Sequence, residues 1–248
     1  PGAVVQLIDT PTPRVVSVTT DTGEIHITDL VTGDVETLES EVGSLGAVWH
    51  STENDQFVIG TQEAESLTLH SWRADKGEFA TFGGPLAKLW LPSQTGAQAY
   101  AKRPDGSLAM IDFADESALI LDSSFGEGEV LDVSLSGMVL YRRAGAEELV
   151  LFDPTSLEKT TLPLADKGEF LENHTNLLLT GEDIGTVVYD YMNDIRATVV
   201  RAIPTAYEVH GRYMAIQYDD VNDVLFDLVE QKRLAVGTTI TVPANPWS

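Results

Sequence analysis

Three histidines, His50, His174 and His210, each fall at or just beyond the end of a short apolar stretch, in the second, fifth and sixth of six similar segments. Three convergent imidazoles make a zinc or copper site, because neutral ring nitrogens suit these metals. If the segments share one register, the three lie towards one rim near a central channel. Against a metal centre, His50 is not in a segment adjacent to the other two, and no paired carboxylate is readable. The plainer account is polar residues at turns. His26 and His70 sit inside strands and read as structural. The run "YDDVND" (218–223) is the best place for calcium, which takes clustered carboxylates and carbonyls, but it lacks D-x-D-x-D-G spacing. Calcium at that run, or zinc at the histidines, are thus the metals most readily offered a place, and no cofactor is demanded.

Covalent catalysis has less to stand on. There is no G-x-S-x-G elbow, phosphate loop, dinucleotide fingerprint or H-E-x-x-H. The chain has no cysteine, which removes disulfides, thiolate metal sites and cysteine nucleophiles. An enzyme would have to assemble scattered acids and histidines at a channel mouth. A metal-dependent hydrolase or a metal-binding carrier is therefore the alternative to a non-enzymatic binding protein.

Charge narrows the partners. The 248 residues carry 39 acidic against 15 basic side chains, for a net charge of −24. That field repels DNA, RNA and anionic membrane surfaces, and fits a basic protein partner, divalent cations or a salty extracellular medium. No apolar run approaches 18 residues, so no membrane-spanning segment is expected. The missing cysteine leans towards a periplasmic or cell-surface location. The chain opens at Pro1 without Met, which leaves room for a removed signal peptide, lipid anchor, upstream domain or further blades.

The elements that must position these groups are strands. Apolar residues alternate at Ile25 and Ile27, Leu67 and Leu69, Leu108 and Met110, and Leu149 and Leu151, the two-residue period of strands with a packed face. An aspartate closes one strand of nearly every segment, at Asp29, Asp112, Asp153, Asp190 and Asp227, with Ser71 in that place in the second. The successive spacings are 42, 41, 41, 37 and 37. Units of about forty residues are the period of four-stranded propeller blades. The sequence therefore predicts an all-β, six-bladed β-propeller of four-stranded antiparallel blades as a single domain over 1–248. The blades span roughly 1–41, 42–84, 85–126, 127–166, 167–204 and 205–248. The tail from Thr238 to Trp247 is longer than one strand needs and is expected to pair with the first blade as a clasp.

The hairpin pattern D-G-x-Φ-x-Φ-x-D-Φ-x-x-G/S, as in the stretch from Asp105, resembles the middle of blades in WD-repeat and quinoprotein-type propellers. The resemblance covers essentially the whole chain and is architectural; the Trp-Asp dipeptide of WD repeats is absent. It implies a fold and not a function.

On such blades the recurrent aspartates take a structural role, bonding backbone amides of the turn from third to fourth strand. Trp49 and Trp90 take similar places in first strands and read as packing between blades. The turns from second to third strand share one rim and are acidic: Asp21, Glu63, Glu65, Asp105, Glu147, Glu148, Glu182, Asp183, Asp219, Asp220 and Asp223, against Arg103 and Arg143. The opposite rim mixes in Arg73, Lys76, Lys159, Arg196, Lys232 and Arg233. The acidic rim is either a solvated surface or a docking face for a basic protein partner.

Overall fold

The computed structural model describes residues 3–8, 13–19, 24–38, 44–51, 56–63, 65–91, 97–163, 165–171 and 175–237, with backbone alone for strand residues 3–8, 18–19, 44–48, 63 and 78. The tail from Thr238 lies outside them, as do Asp21 and His174. The described residues form 24 strands and no helix, gathered into six four-stranded antiparallel sheets, each a meander in chain order. Six such meanders are the blade set of a six-bladed β-propeller.

The chain divides into two compact units, Pro1–Glu127 and Gly128–Ser248, of three blades each. In the first unit, blade one is β1 (Ala3–Ile8), β2 (Arg14–Thr19), β3 (Ile25–Asp29) and β4 (Val35–Leu38). Blade two is β5 (Ser44–Ser51), β6 (Gln56–Glu63), β7 (Ser66–Arg73) and β8 (Glu78–Leu86). Blade three is β9 (Lys88–Trp90), β10 (Gln98–Lys102), β11 (Leu108–Asp112) and β12 (Ser117–Asp122). In the second unit, blade four is β13 (Glu129–Val133), β14 (Val139–Arg142), β15 (Glu148–Phe152) and β16 (Lys159–Pro163). Blade five is β17 (Lys167–Phe170), β18 (Asn176–Gly181), β19 (Gly185–Asp190) and β20 (Ile195–Val200). Blade six is β21 (Ala206–His210), β22 (Tyr213–Gln217), β23 (Asp223–Asp227) and β24 (Lys232–Gly237).

The register corrects one assignment. Gly33 N–H bonds Asp29 O and Gly77 N–H bonds Arg73 O, both at 2.9 Å. Arg14 faces Asp29 across the second and third strands of blade one, as Gln56 faces Arg73 in blade two. Arg73, not Ser71, therefore stands where the other blades have aspartate. A two-residue slip keeps side-chain polarity in phase, so the periodicity alone could not detect it.

Alternation sends the two faces of the middle blade of each unit to different neighbours. In blade five, Leu177, Leu179 and Tyr189 pack with Leu140, Leu149 and Leu151 of blade four. Leu178 and Val188 face the other way, onto Met214, Ile216 and Phe226 of blade six. Blade two divides likewise: Phe57, Ile59 and Trp72 meet Ile25 and Ile27, while Val58 and Leu69 meet Ala99, Ile111 and Phe113. Each fully buried Leu or Phe contributes about 1.5–3 kcal/mol. The close approach of blades four and five requires Gly168, where an added Cβ would come within 2.4 Å of the Leu140 side chain. Fourth strands are sheet edges and several are largely in water, as β24 is along nearly its whole length.

Candidate functional site

The five aspartates build one motif five times. One carboxylate oxygen turns back onto the backbone amide two residues on and, in four cases, also three residues on. Asp29 accepts from Val31 and Thr32 at 2.8 and 3.0 Å, and Asp112 from Ala114 and Asp115 at 3.0 Å each. Asp190 accepts from Met192 and Asn193 at 3.0 and 3.1 Å, and Asp227 from Val229 and Glu230 at 3.0 Å each. Asp153 accepts from the Thr155 amide at 2.8 Å and the Ser156 hydroxyl at 3.0 Å. The amides of Thr32 and Val31, helped by Arg14 at 3.8 Å, hold the Asp29 carboxyl below its usual range. Burial pushes Asp227 up, but the Arg212 guanidinium and the amides of Glu230 and Val229 outweigh it and hold it low. These carboxylates are occupied by their own backbone.

Four residues past that position, every blade turns into left-handed backbone. Blades one and two place Gly33 and Gly77 there; the other four place Glu116, Leu157, Asp194 and Gln231, with φ of 53°, 60°, 54° and 50°. Such backbone strains any residue with a Cβ. Two of these residues use it to tie blades together. Glu116 Oε1 accepts from Gln56 Nε2 at 3.2 Å and Ser71 Oγ at 2.9 Å in blade two. Gln231 Nε2 donates to Asn176 Oδ1 of blade five at 2.7 Å and to Leu228 O. Asp194 stays within its blade, where it accepts from Tyr189 OH at 2.9 Å; burial first, then this carboxylate, raises that phenol to about 12. Leu157 is 56% exposed. These ties put first-to-second and third-to-fourth hairpins at the same end of neighbouring blades, here the turn rim. Sequence reasoning missed Gln56, Glu116, Asn176, Gln231 and Arg212, although Glu116, Asp194 and Gln231 share a place four residues past the aspartate.

At the other end of the blades, the acidic rim of each unit is exposed, at Glu65 and Asp105 in the first and at Glu147, Glu148, Glu182, Asp183, Asp219 and Asp220 in the second. Glu63 ends β6, and its side chain is outside the described set, as is Asp21. Asp105 also accepts from the hydroxyl and amide of Ser107, at 2.6 and 2.9 Å, and these bonds lower its pKa. Asp223 departs from the expected group. It is only 9% exposed and accepts from the Tyr218 amide at 3.2 Å, so it serves its own turn and is not presented to a partner. Beside Glu65, a cleft of about 450 Å³ sets Glu65 and Glu127 against Lys102 and Arg103, with Lys102 Nζ 2.8 Å from Glu127. A smaller cleft of about 210 Å³ between blades one and two is lined by Asp29, Asp34, Glu36 and Arg14, whose guanidinium lies 5.1 Å from the Trp72 ring centre.

Of the three candidate metal-binding histidines, His174 lies outside the described residues. His50, in the first unit, lies 4.5 Å from the Phe57 ring; His210, in the second, is exposed beside Glu208 at 3.7 Å. No group of three or more His, Asp or Glu converges in metal-binding geometry among the described residues, which include the "YDDVND" run. His26 and His70 bond threonines of neighbouring strands, and burial lowers the His70 pKa. Trp49 packs 5.6 Å from Phe113 of blade three, and Trp90 meets Phe125 edge-on at 6.3 Å.

No protein-family model matches the chain, and no curated protein does. Among solved structures 875 chains match, so likeness of this kind identifies a widespread architecture rather than an activity. One is apo AztD from Citrobacter koseri, at 10% identity and a TM-score of 0.50, covering 94% of this chain and 70% of that one. At that identity the chain is similar to AztD in its propeller-like fold.

Proposed function

We propose that this chain is a non-enzymatic binding propeller that docks a basic protein partner on its acidic rim, outside the reducing cytoplasm and as part of a larger assembly. The observation that carries this reading is the contrast between occupied and exposed carboxylates. The turn aspartates are committed to backbone amides, whereas Glu147, Glu148, Glu182, Asp183, Asp219 and Asp220 stand in water on one rim of one unit. Like charges held side by side raise the local field, which speeds encounter with a cationic surface. With no cysteine, the chain has no thiol that an oxidising compartment could alter. No helix among the described residues is long and apolar enough to cross a membrane.

The partner is to be captured from the native source and its association rate measured against salt. Neutralising Glu182, Asp183, Asp219 and Asp220 should slow association by roughly tenfold at low salt, with dissociation little changed. The control neutralises Glu36, Asp115, Glu158 and Glu169, four exposed acids away from that rim. Equal slowing in both variants would mean that net charge alone attracts the partner, and the docking rim would be rejected. Elemental analysis tests the enzymatic alternative: a stoichiometric metal in the purified chain would overturn this proposal in favour of a metal-dependent hydrolase or carrier.

A further inference from the structure

We propose that the chain also associates with a second copy of itself, through the turn rim of its second unit. The contact centres on Leu135, Leu157, Met192 and Val229, which are 61%, 56%, 69% and 64% exposed. Each sits on a hairpin: Leu135 between β13 and β14, Leu157 between β15 and β16, Met192 between β19 and β20, and Val229 between β23 and β24. Two ties place these hairpins at one end of the unit. Asp132, near the end of β13, accepts from the Phe170 amide at the end of β17 at 2.7 Å, so the two first strands run side by side in the same sense. Asn176, at the start of β18, bonds Gln231 in the β23–β24 hairpin. Four large apolar tips on three consecutive blades make a surface that gains by leaving water. Leu157 sharpens the point: it holds strained left-handed backbone, where Gly or Asn fits more cheaply, and unlike Glu116 and Gln231 it ties no blade there.

Charge selects the occupant. Two chains of net charge −24 can approach only where the local field is balanced. The turn rim of this unit sets exposed Lys159, Arg196, Lys232 and Arg233 against exposed Glu158, Asp194 and Glu230. A twofold contact places such a balanced surface against itself, so cations of one copy meet acids of the other. It also leaves both acidic rims facing away from the contact. A strongly basic partner is drawn instead to the acidic rim, and an anionic lipid surface is repelled by the net charge. The dimer therefore uses a surface separate from the docking rim, and either can fail without the other.

Sedimentation of the full chain over a roughly 100-fold range of concentration should reveal a monomer–dimer equilibrium. Replacing Leu157 by Asn, Met192 by Ser and Val229 by Thr together should weaken association by roughly tenfold or more. Leu157→Asn alone should weaken it in the same direction, and this variant keeps the fold because Asn accepts left-handed backbone; circular dichroism and melting check that. Neutralising Glu182 and Asp183 should leave the dimer intact. A monomer at every concentration overturns the proposal, as does a dimer indifferent to the apolar substitutions. So does binding of the monomer to phosphatidylserine vesicles that the same substitutions abolish, which would assign these tips to a lipid surface.

Discussion

The two ends of the second unit use the same residue type in opposite ways. On the turn rim, Asp190 and Asp227 are 7% and 2% exposed and close their hairpins by accepting backbone amides. On the acidic rim, Asp219 and Asp220 stand in water. What differs is the local chain: a turn whose amides converge on one point makes a carboxylate part of the fold, and a hairpin without such amides leaves it to the solvent and to partners. Asp223 crosses that boundary, since its place in the sequence is with the rim acids, yet it is buried and accepts a backbone amide, that of Tyr218 five residues earlier.

The largest effect in this comparison should come from Asp227→Ala, which removes two amide bonds and leaves the exposed Arg212 with Glu230 at 3.9 Å; a loss of about 2–3 kcal/mol in denaturant unfolding is expected. Its pH dependence has a definite sign. The folded Asp227 pKa lies below the ordinary value, so its contribution is whole above about 3.9 and is lost as pH falls through the folded value. Asp227→Asn should accordingly flatten the acid limb of a stability–pH curve. Asp223→Ala should cost about 1–2 kcal/mol if burial and not sequence neighbourhood decides its role. Asp153→Ala, at a half-exposed turn, should cost about 1 kcal/mol. Leu157→Asn should raise stability by about 0.5 kcal/mol, since it relieves left-handed strain without breaking a tie between blades. The double change Asp219→Asn and Asp220→Asn should move stability by no more than about 0.5 kcal/mol in either direction, because exposed rim charges contribute little. A larger loss there would erase the distinction between the two rims.

The blades were legible because their signals are local. Alternation in stretches such as Ile25 to Ile27 gives strands, and an aspartate closing the strand before a polar turn gives hairpins, within a window of ten residues or so. The slip at Ser71 marks where local signals fail: blade two carries Arg73 at the aspartate position, and only its pairing with Gln56 reveals the register. The acidic rim was legible as a count of hairpin carboxylates, but membership in it was not. Whether a carboxylate is buried depends on amides that fold back upon it, as that of Tyr218 does on Asp223.

By itself, then, the sequence determined the all-β class, the six units and the hairpin chemistry, all of which arise from residues a few positions apart. The tertiary structure decided what lies between blades. It decided which face of β18 meets blade four and which meets blade six, why Gly168 has no room for a Cβ, and how Glu116 reaches Gln56 across sixty positions of chain. Those contacts join residues distant in sequence, and no periodicity within a blade encodes the side chain waiting on the next one.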